Sequence, residues 1–207
     1  MKYTGPSCRL CRKEGEKLFL KGDKCLSQKC PILKKNYIPG QHGEKKSFKK
    51  LSEYGRQMRA KQKAKRVYQI AETQFKNYYK KAVSKKGVTG TIMQQMIERR
   101  IDNTIYRCGF AVSRKQARQM VAHGLIRLNG KKCTAPSRQV KIGDKITIKD
   151  SKKGSKLFER LAKEKDVSPK WLKVDLKKGE AEVTALPEKD DMERSLETQL
   201  IVESYSK

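Results

Sequence analysis

The chain has 207 residues, 35% of them charged, and 51 Lys and Arg outweigh 22 Asp and Glu to give a formal charge of +29. That length suits one or two compact domains. A merely solvated lysine-rich surface does not explain such an imbalance, because a chain this basic repels itself until a polyanion neutralises it. No run approaches the ~18 apolar residues of a membrane span, and no secretory-type apolar stretch follows Met1, so a reducing compartment with unpaired cysteines is expected.

The charge is built into segments that look foldable. Residues 1–100 carry 27 basic and 7 acidic side chains and residues 101–150 carry 11 and 3, whereas residues 181–207 carry 3 and 7. This is the pattern of a folded basic surface rather than of a basic tail, and it favours nucleic acid over a membrane surface or an acidic protein.

Residues 1–50 show little periodic apolar sequence and contain the breakers Pro6, Pro31 and Pro39-Gly40, so a core built from this stretch alone is not expected. A staple is expected instead. Cys8-x2-Cys11 and Cys25-x4-Cys30 are two close pairs 13 residues apart, a spacing that brings four thiolates to one tetrahedral ion. Zinc fits best, an iron–sulfur cluster takes the same four ligands, and a metal-free segment is the third reading. With four cysteines and no open position the role is structural. Cys108 and Cys133 fall outside the pattern and read as packing residues.

From residue 51 the signal turns helical, with Ser52 as N-cap and Glu53 in the first turn. Arg56, Arg59, Lys63 and Arg66 share an arc of ~80° on that helix and form a candidate RNA-binding face. Leu51, Tyr54 and Met58 are expected to pack, although Lys61 and Lys65 continue their line. Tyr68, Ala71, Phe75, Tyr78 and Ala82 mark a second helix whose aromatic stripe reads as core. Thr91 and Gln94 form a capping-box pattern opening a third, lined by Ile97, Ile101 and Ile105 and ended by Gly109.

Ser113 and Gln116 repeat the capping box over a helix at 114–123, where Arg114, Lys115 and Arg118 cluster at an end already favourable to anions. Leu125 to Leu128 reads as a strand, Asn129-Gly130 as a hairpin turn, and Ile146-Thr147-Ile148 as a further strand. Arg127, Lys131 and Lys132 add to the basic edge of this two-helix-plus-sheet module.

These residues resemble one family end to end: small-subunit ribosomal protein four of the bacterial type. The likeness rests on Tyr3-Thr4-Gly5-Pro6, Pro39-Gly40-Gln41-His42-Gly43, Tyr54-Gly55, Gln74-Phe75-Lys76-Asn77-Tyr78-Tyr79 and Arg100-Ile101-Asp102-Asn103. It continues through Ser113 to Gln119, Val121-Ala122-His123-Gly124, Leu128-Asn129-Gly130, Trp171-Leu172 and the closing Ile201 to Lys207. Some family members lack the four cysteines, and this sequence retains them in the form that binds zinc.

The resemblance implies an α+β fold: a metal-bound segment over 1–45, a helical domain over 46–98 completed by 186–207, and an inserted compact RNA-binding domain with trailing strands over 99–185. It implies direct and early binding of small-subunit ribosomal RNA, contact with the neighbouring ribosomal protein five, and an influence on decoding accuracy. It also implies proximity to mRNA where the message enters, and the matching basic loop is Lys45, Lys46, Lys49 and Lys50. Cytoplasmic, ribosome-bound residence follows, with an organellar ribosome also compatible.

Two other classes fit the sequence less well. An RNA-modifying enzyme is disfavoured because the two histidines, His42 beside a turn and His123 at a helix end, have no partnered nucleophile, and there is no P-loop or dinucleotide fingerprint. A zinc-containing regulator that reads DNA is disfavoured because the basic groups spread over three segments instead of one major-groove helix.

Overall fold

The computed structural model describes residues 3–43, 51–155, 158 and 168–206. In chain order the elements are helices α1 (Ser7–Glu14), α2 (Asp23–Leu26), α3 (Pro31–Lys34), α4 (Glu53–Tyr68), α5 (Glu72–Val83), α6 (Thr89–Glu98), α7 (Ile101–Arg107) and α8 (Arg114–Ala122), strands β1 (Ile126–Leu128), β2 (Lys131–Cys133) and β3 (Lys145–Ile148), helix α9 (Asp150–Lys153), strands β4 (Leu172–Asp175) and β5 (Glu180–Val183), and helix α10 (Thr198–Ser206). They form two compact units, residues 1–93 with 195–207 and residues 94–194.

In the first unit the N-terminal stretch builds more core than its sequence promises. Cys11, Leu18, Leu20, Cys30 and Ile32 are buried together with Val67 of α4. Their lack of periodicity follows from their origin in short helices and the turns between them. Gly15, at φ 77°, ends α1 in the left-handed conformation that glycine adopts without steric cost.

Ser52 caps α4 by accepting a hydrogen bond from the Gly55 N–H at 3.2 Å, as expected. The packing face differs from the expected one. Leu51 and Tyr54 are 50% and 66% exposed, whereas Gln57, Ala64, Val67 and Tyr68 are buried. The buried line at 57, 64 and 68 follows a heptad-like stripe, and α10 packs against α4. Lys61 and Lys65 do extend their stems over this surface; the Lys61 ammonium lies 4.9 Å from the centre of the Tyr205 ring. Gln69, at φ 54°, ends the helix, so Tyr68 belongs to α4 and not to the element that follows. Phe75, Tyr78 and Ala82 of α5 are buried, the core role expected of them.

The continuous helix expected through Ile97 and Ile101 is broken. Arg100 is extended, with ψ 137°, and bridges antiparallel to Gln139. Its guanidinium pairs bidentately with Asp102, at 3.0 and 2.7 Å. Backbone pairing and that ion pair hold the residue out of the helix, and the chain restarts as α7.

The second unit packs helices against a five-stranded antiparallel sheet of order β2-β1-β3-β5-β4. Asn129 and Gly130 turn β1 into β2 with φ of 50° and 75°, the pair of positive values a two-residue hairpin of this twist requires. Ile101, Ile105, Phe110, Val121, Ile126, Ile146, Ile148 and Trp171 are each at most 1% exposed and form its core. The fold is thus a mixture of α-helices and an antiparallel sheet.

Candidate nucleic-acid interface

The outer face of the β1–β2 hairpin is openly basic. Ile126 and Leu128 alternate inward, which turns Arg127 outward, where its register partners are Lys132 on β2 and Thr147 on β3. Two like charges directly opposite each other cost stability in an isolated sheet. An anion lying on that face removes the cost. Lys131 and Lys132 are exposed, and Arg127 is 3.6 Å from the exposed Asp150.

Helix α8 is capped by Ser113, which accepts from the Gln116 N–H at 3.3 Å, while the Gln116 side chain accepts from the Val112 N–H at 2.8 Å. The cap brings Lys115 into solvent but turns Arg114 inward. Arg114 is 8% exposed and donates to Asn103 Oδ1 at 2.7 Å and to Glu193 Oε2 at 3.0 Å, with its guanidinium over the Tyr106 ring. Arg118 is 3.7 Å from Asp102. The cluster expected at this helix end is therefore split, because the buried Asn103 amide and the half-buried Glu193 claim Arg114.

Those partners form a polar network under α7 and α8. Glu98, fully buried, accepts two hydrogen bonds from Arg107, at 3.0 and 2.7 Å, and one from Asn103. Asp102 is committed to Arg100 and to the Asn103 N–H at 2.9 Å. An acid held this way has a structural duty.

On α4 the four basic residues of the expected arc also separate. Arg56 is exposed and, among the described residues, pairs with Glu53 one turn away. Arg59 and Arg66 both clasp Glu14, and Lys63 is 2.7 Å from Glu16. Glu14 lies at the C-terminal end of α1, where the helix dipole disfavours an anion; the two guanidiniums offset that penalty. Sequence reasoning missed Glu14, Glu98 and Glu193, because their significance depends on partners far along the chain. Lys45, Lys46, Lys49 and Lys50 lie outside the described residues.

Cys8 and Cys11 share a face of α1, Cys25 lies on α2, and Cys30 immediately precedes α3. Cys11, Cys25 and Cys30 are buried and all four thiols are free. Burial pushes the Cys11 thiol up, the Leu18 N–H counteracts, and charge on Cys25, Cys8 or Cys30 adds to the rise, so the four are within electrostatic reach. The Lys21 N–H donates to Cys25 Sγ at 3.3 Å. The donor set and its backbone donors fit a tetrahedral ion. Among the described residues, however, no three Cys, His, Asp or Glu already stand at ligand spacing.

The family described as Ribosomal protein S4/S9 N-terminal domain matches residues 2–98, and the S4 domain matches residues 99–146. Small ribosomal subunit protein uS4 of Acetivibrio thermocellus is 49% identical over 211 residues, covering 100% of this chain and 99% of that protein. The chain belongs to the uS4 family. The uS4 proteins of Halothermothrix orenii and Clostridioides difficile are similar at 49% and 47% identity, again over 100% of this chain and 99% of theirs. The S4 domain match takes in α7, α8 and β1 to the start of β3, the part of the uS4 chain that carries the basic hairpin.

Proposed function

We propose that this protein is a structural, non-catalytic component of the small ribosomal subunit that binds small-subunit ribosomal RNA directly. The observation that carries the reading is its full-length similarity to uS4 relatives. Electrostatics supports it: Lys115, Lys131, Lys132 and Arg56 keep exposed charge, and affinity built on such groups comes from released counterions. Duplex RNA is then read through shape and backbone. RNA modification and DNA regulation find no comparable support.

Within this reading, residues 1–45, 46–98 with 186–207, and 99–185 act as metal-binding, helical and RNA-binding parts. Early binding in subunit assembly, a contact with ribosomal protein five, and a place beside incoming mRNA with an effect on decoding accuracy belong to the same proposal, as does residence on cytoplasmic ribosomes. No helix among the described residues is long and apolar enough to cross a membrane. Cys8, Cys11, Cys25 and Cys30 would hold one structural zinc, supplying a crosslink and no reaction chemistry.

The test is binding of the purified full chain to small-subunit ribosomal RNA across a salt series, with co-sedimentation on small subunits in moderate salt. Steep salt dependence is expected. Lys115→Ala with Lys131→Ala should lower the slope by about 2, roughly one unit per lost phosphate contact. Equal affinity for B-form DNA at matched salt, or no co-sedimentation, would count against the proposal.

A further inference from the structure

Beside the basic hairpin the second unit has an open groove of about 250 Å³ lined by Gln116, Gln119, Met120, His123 and Leu125. That is below the ~300–1,000 Å³ of sites for drug-sized ligands, and it suits one planar ring system. The groove is apolar where Met120, 2% exposed, and Leu125 contribute, and polar where two amides and an imidazole contribute.

Its backbone is already committed. The Leu125 N–H donates to Met120 O at 3.0 Å, Leu125 O accepts from the Lys149 N–H at 2.9 Å, and the His123 N–H donates to Gln119 O at 2.9 Å. Anything bound is therefore read by side chains. Gln116 spends its Oε1 on the Val112 N–H, which leaves its NH2 group as a donor. Gln119 and His123 each offer a donor and an acceptor.

The charge around the groove selects the occupant. Gly124, at φ 68°, sits between His123 and Leu125, and the Lys132 stem crosses it so closely that an added Cβ would meet Lys132 Cε at 2.3 Å. The Lys132 stem thus runs beside the groove, and the exposed Lys115 precedes Gln116 on α8. An apolar slot with hydrogen-bonding edges beside cations matches a base, its edge and its phosphate. It does not match an apolar peptide side chain, which uses neither the donors nor the cations. Thioether and imidazole are both good partners for an aromatic face.

We infer that this groove receives one unpaired nucleobase of the bound RNA, with Met120 and His123 against its face, Gln116 and Gln119 at its edge, and Lys132 at its phosphate. The inference rests on the RNA-binding reading above and deepens it: the hairpin charges fix position, and the groove requires a nucleotide outside a continuous duplex.

The experiment compares the full chain with its Gln119→Ala, His123→Ala double variant, both sites being exposed and outside the core. Two probes are used, small-subunit ribosomal RNA and a perfectly paired RNA duplex, each over a salt series. The expected result is about ten-fold weaker binding of the ribosomal RNA, the scale of one lost stacked base, with an unchanged salt slope and unchanged duplex binding. Ultraviolet crosslinking of the parent complex should also join a base to the peptide containing Met120 and His123. Ribosomal RNA affinity within two-fold of the parent would overturn the inference, as would an equal loss on the duplex or a drop in slope. So would intact RNA binding with loss of another ribosomal protein from the particle, since the occupant would then be a protein. Failure of the parent itself to bind ribosomal RNA would overturn the functional reading instead.

Discussion

Glu98 exposes none of its surface, yet it carries a formal charge between a guanidinium and a buried amide. Burying such an acid is tolerable only while its partners are present, and removing one member of a buried pair leaves the others without compensation. Glu98→Ala should destabilise the second unit by about 3 kcal/mol, read by urea denaturation, whereas Lys131→Ala should shift stability by under ~0.5 kcal/mol. The same residues show why the site was only partly legible. The type and helix position of Arg114 suggested a phosphate ligand, and nothing near it in sequence revealed Glu193, 79 residues away, as its partner. Lys131 and Lys132, beside a turn that local chemistry dictates, were read without such interference.

At the scale of elements, local signals were the more readable ones, although the expected Thr91–Gln94 cap lies inside α6, which starts at Thr89. Ser52, Ser113 and Asn129-Gly130 act within four residues of themselves, so the starts of α4 and α8 and the hairpin followed from sequence. The break at Arg100 depends on Gln139, and the packing face of α4 depends on α10. The α5–α10 contact also gives a pH window. Burial alone would raise the Glu72 carboxyl, but hydrogen bonds from Lys65 and Tyr205 hold it below its ordinary 4.5. Burial, then Glu72, raises the Tyr205 phenol above its ordinary 10. A depressed acid stabilises above its unfolded pKa and loses that contribution as pH falls; a raised phenol stabilises below its unfolded pKa and loses it as pH rises. Tyr205→Phe should therefore cost about 1 kcal/mol over roughly pH 5–9, and denaturant titrations should show the difference shrinking outside that range.

For the molecule as a whole, composition already pointed to an anionic partner, and end-to-end resemblance supplied the family. The N-terminal segment was the least legible region, because three short helices carry too few turns for periodicity to register. Its small core reaches α4 through Val67, and Glu14 reaches Arg59 and Arg66, so a metal held there would brace more than the loop itself. Purified protein should contain about one equivalent of zinc and lack the colour of an iron–sulfur cluster. Metal analysis should find it lost in Cys25→Ser and kept in Cys133→Ser; the reverse pattern would overturn the ligand assignment.

The first unit is assembled from both ends of the chain, with α10 packed on α4 and Tyr205 stacked on Tyr79 at 4.9 Å between ring centres. Synthesis runs from the N-terminus, so residues 94–194 are polymerised before the helix that closes residues 1–93. The apolar face of α4 waits uncovered through the synthesis of the whole second unit, until α10 emerges. A nascent chain halted before α10 would hold a finished S4 domain beside an unfinished helical one.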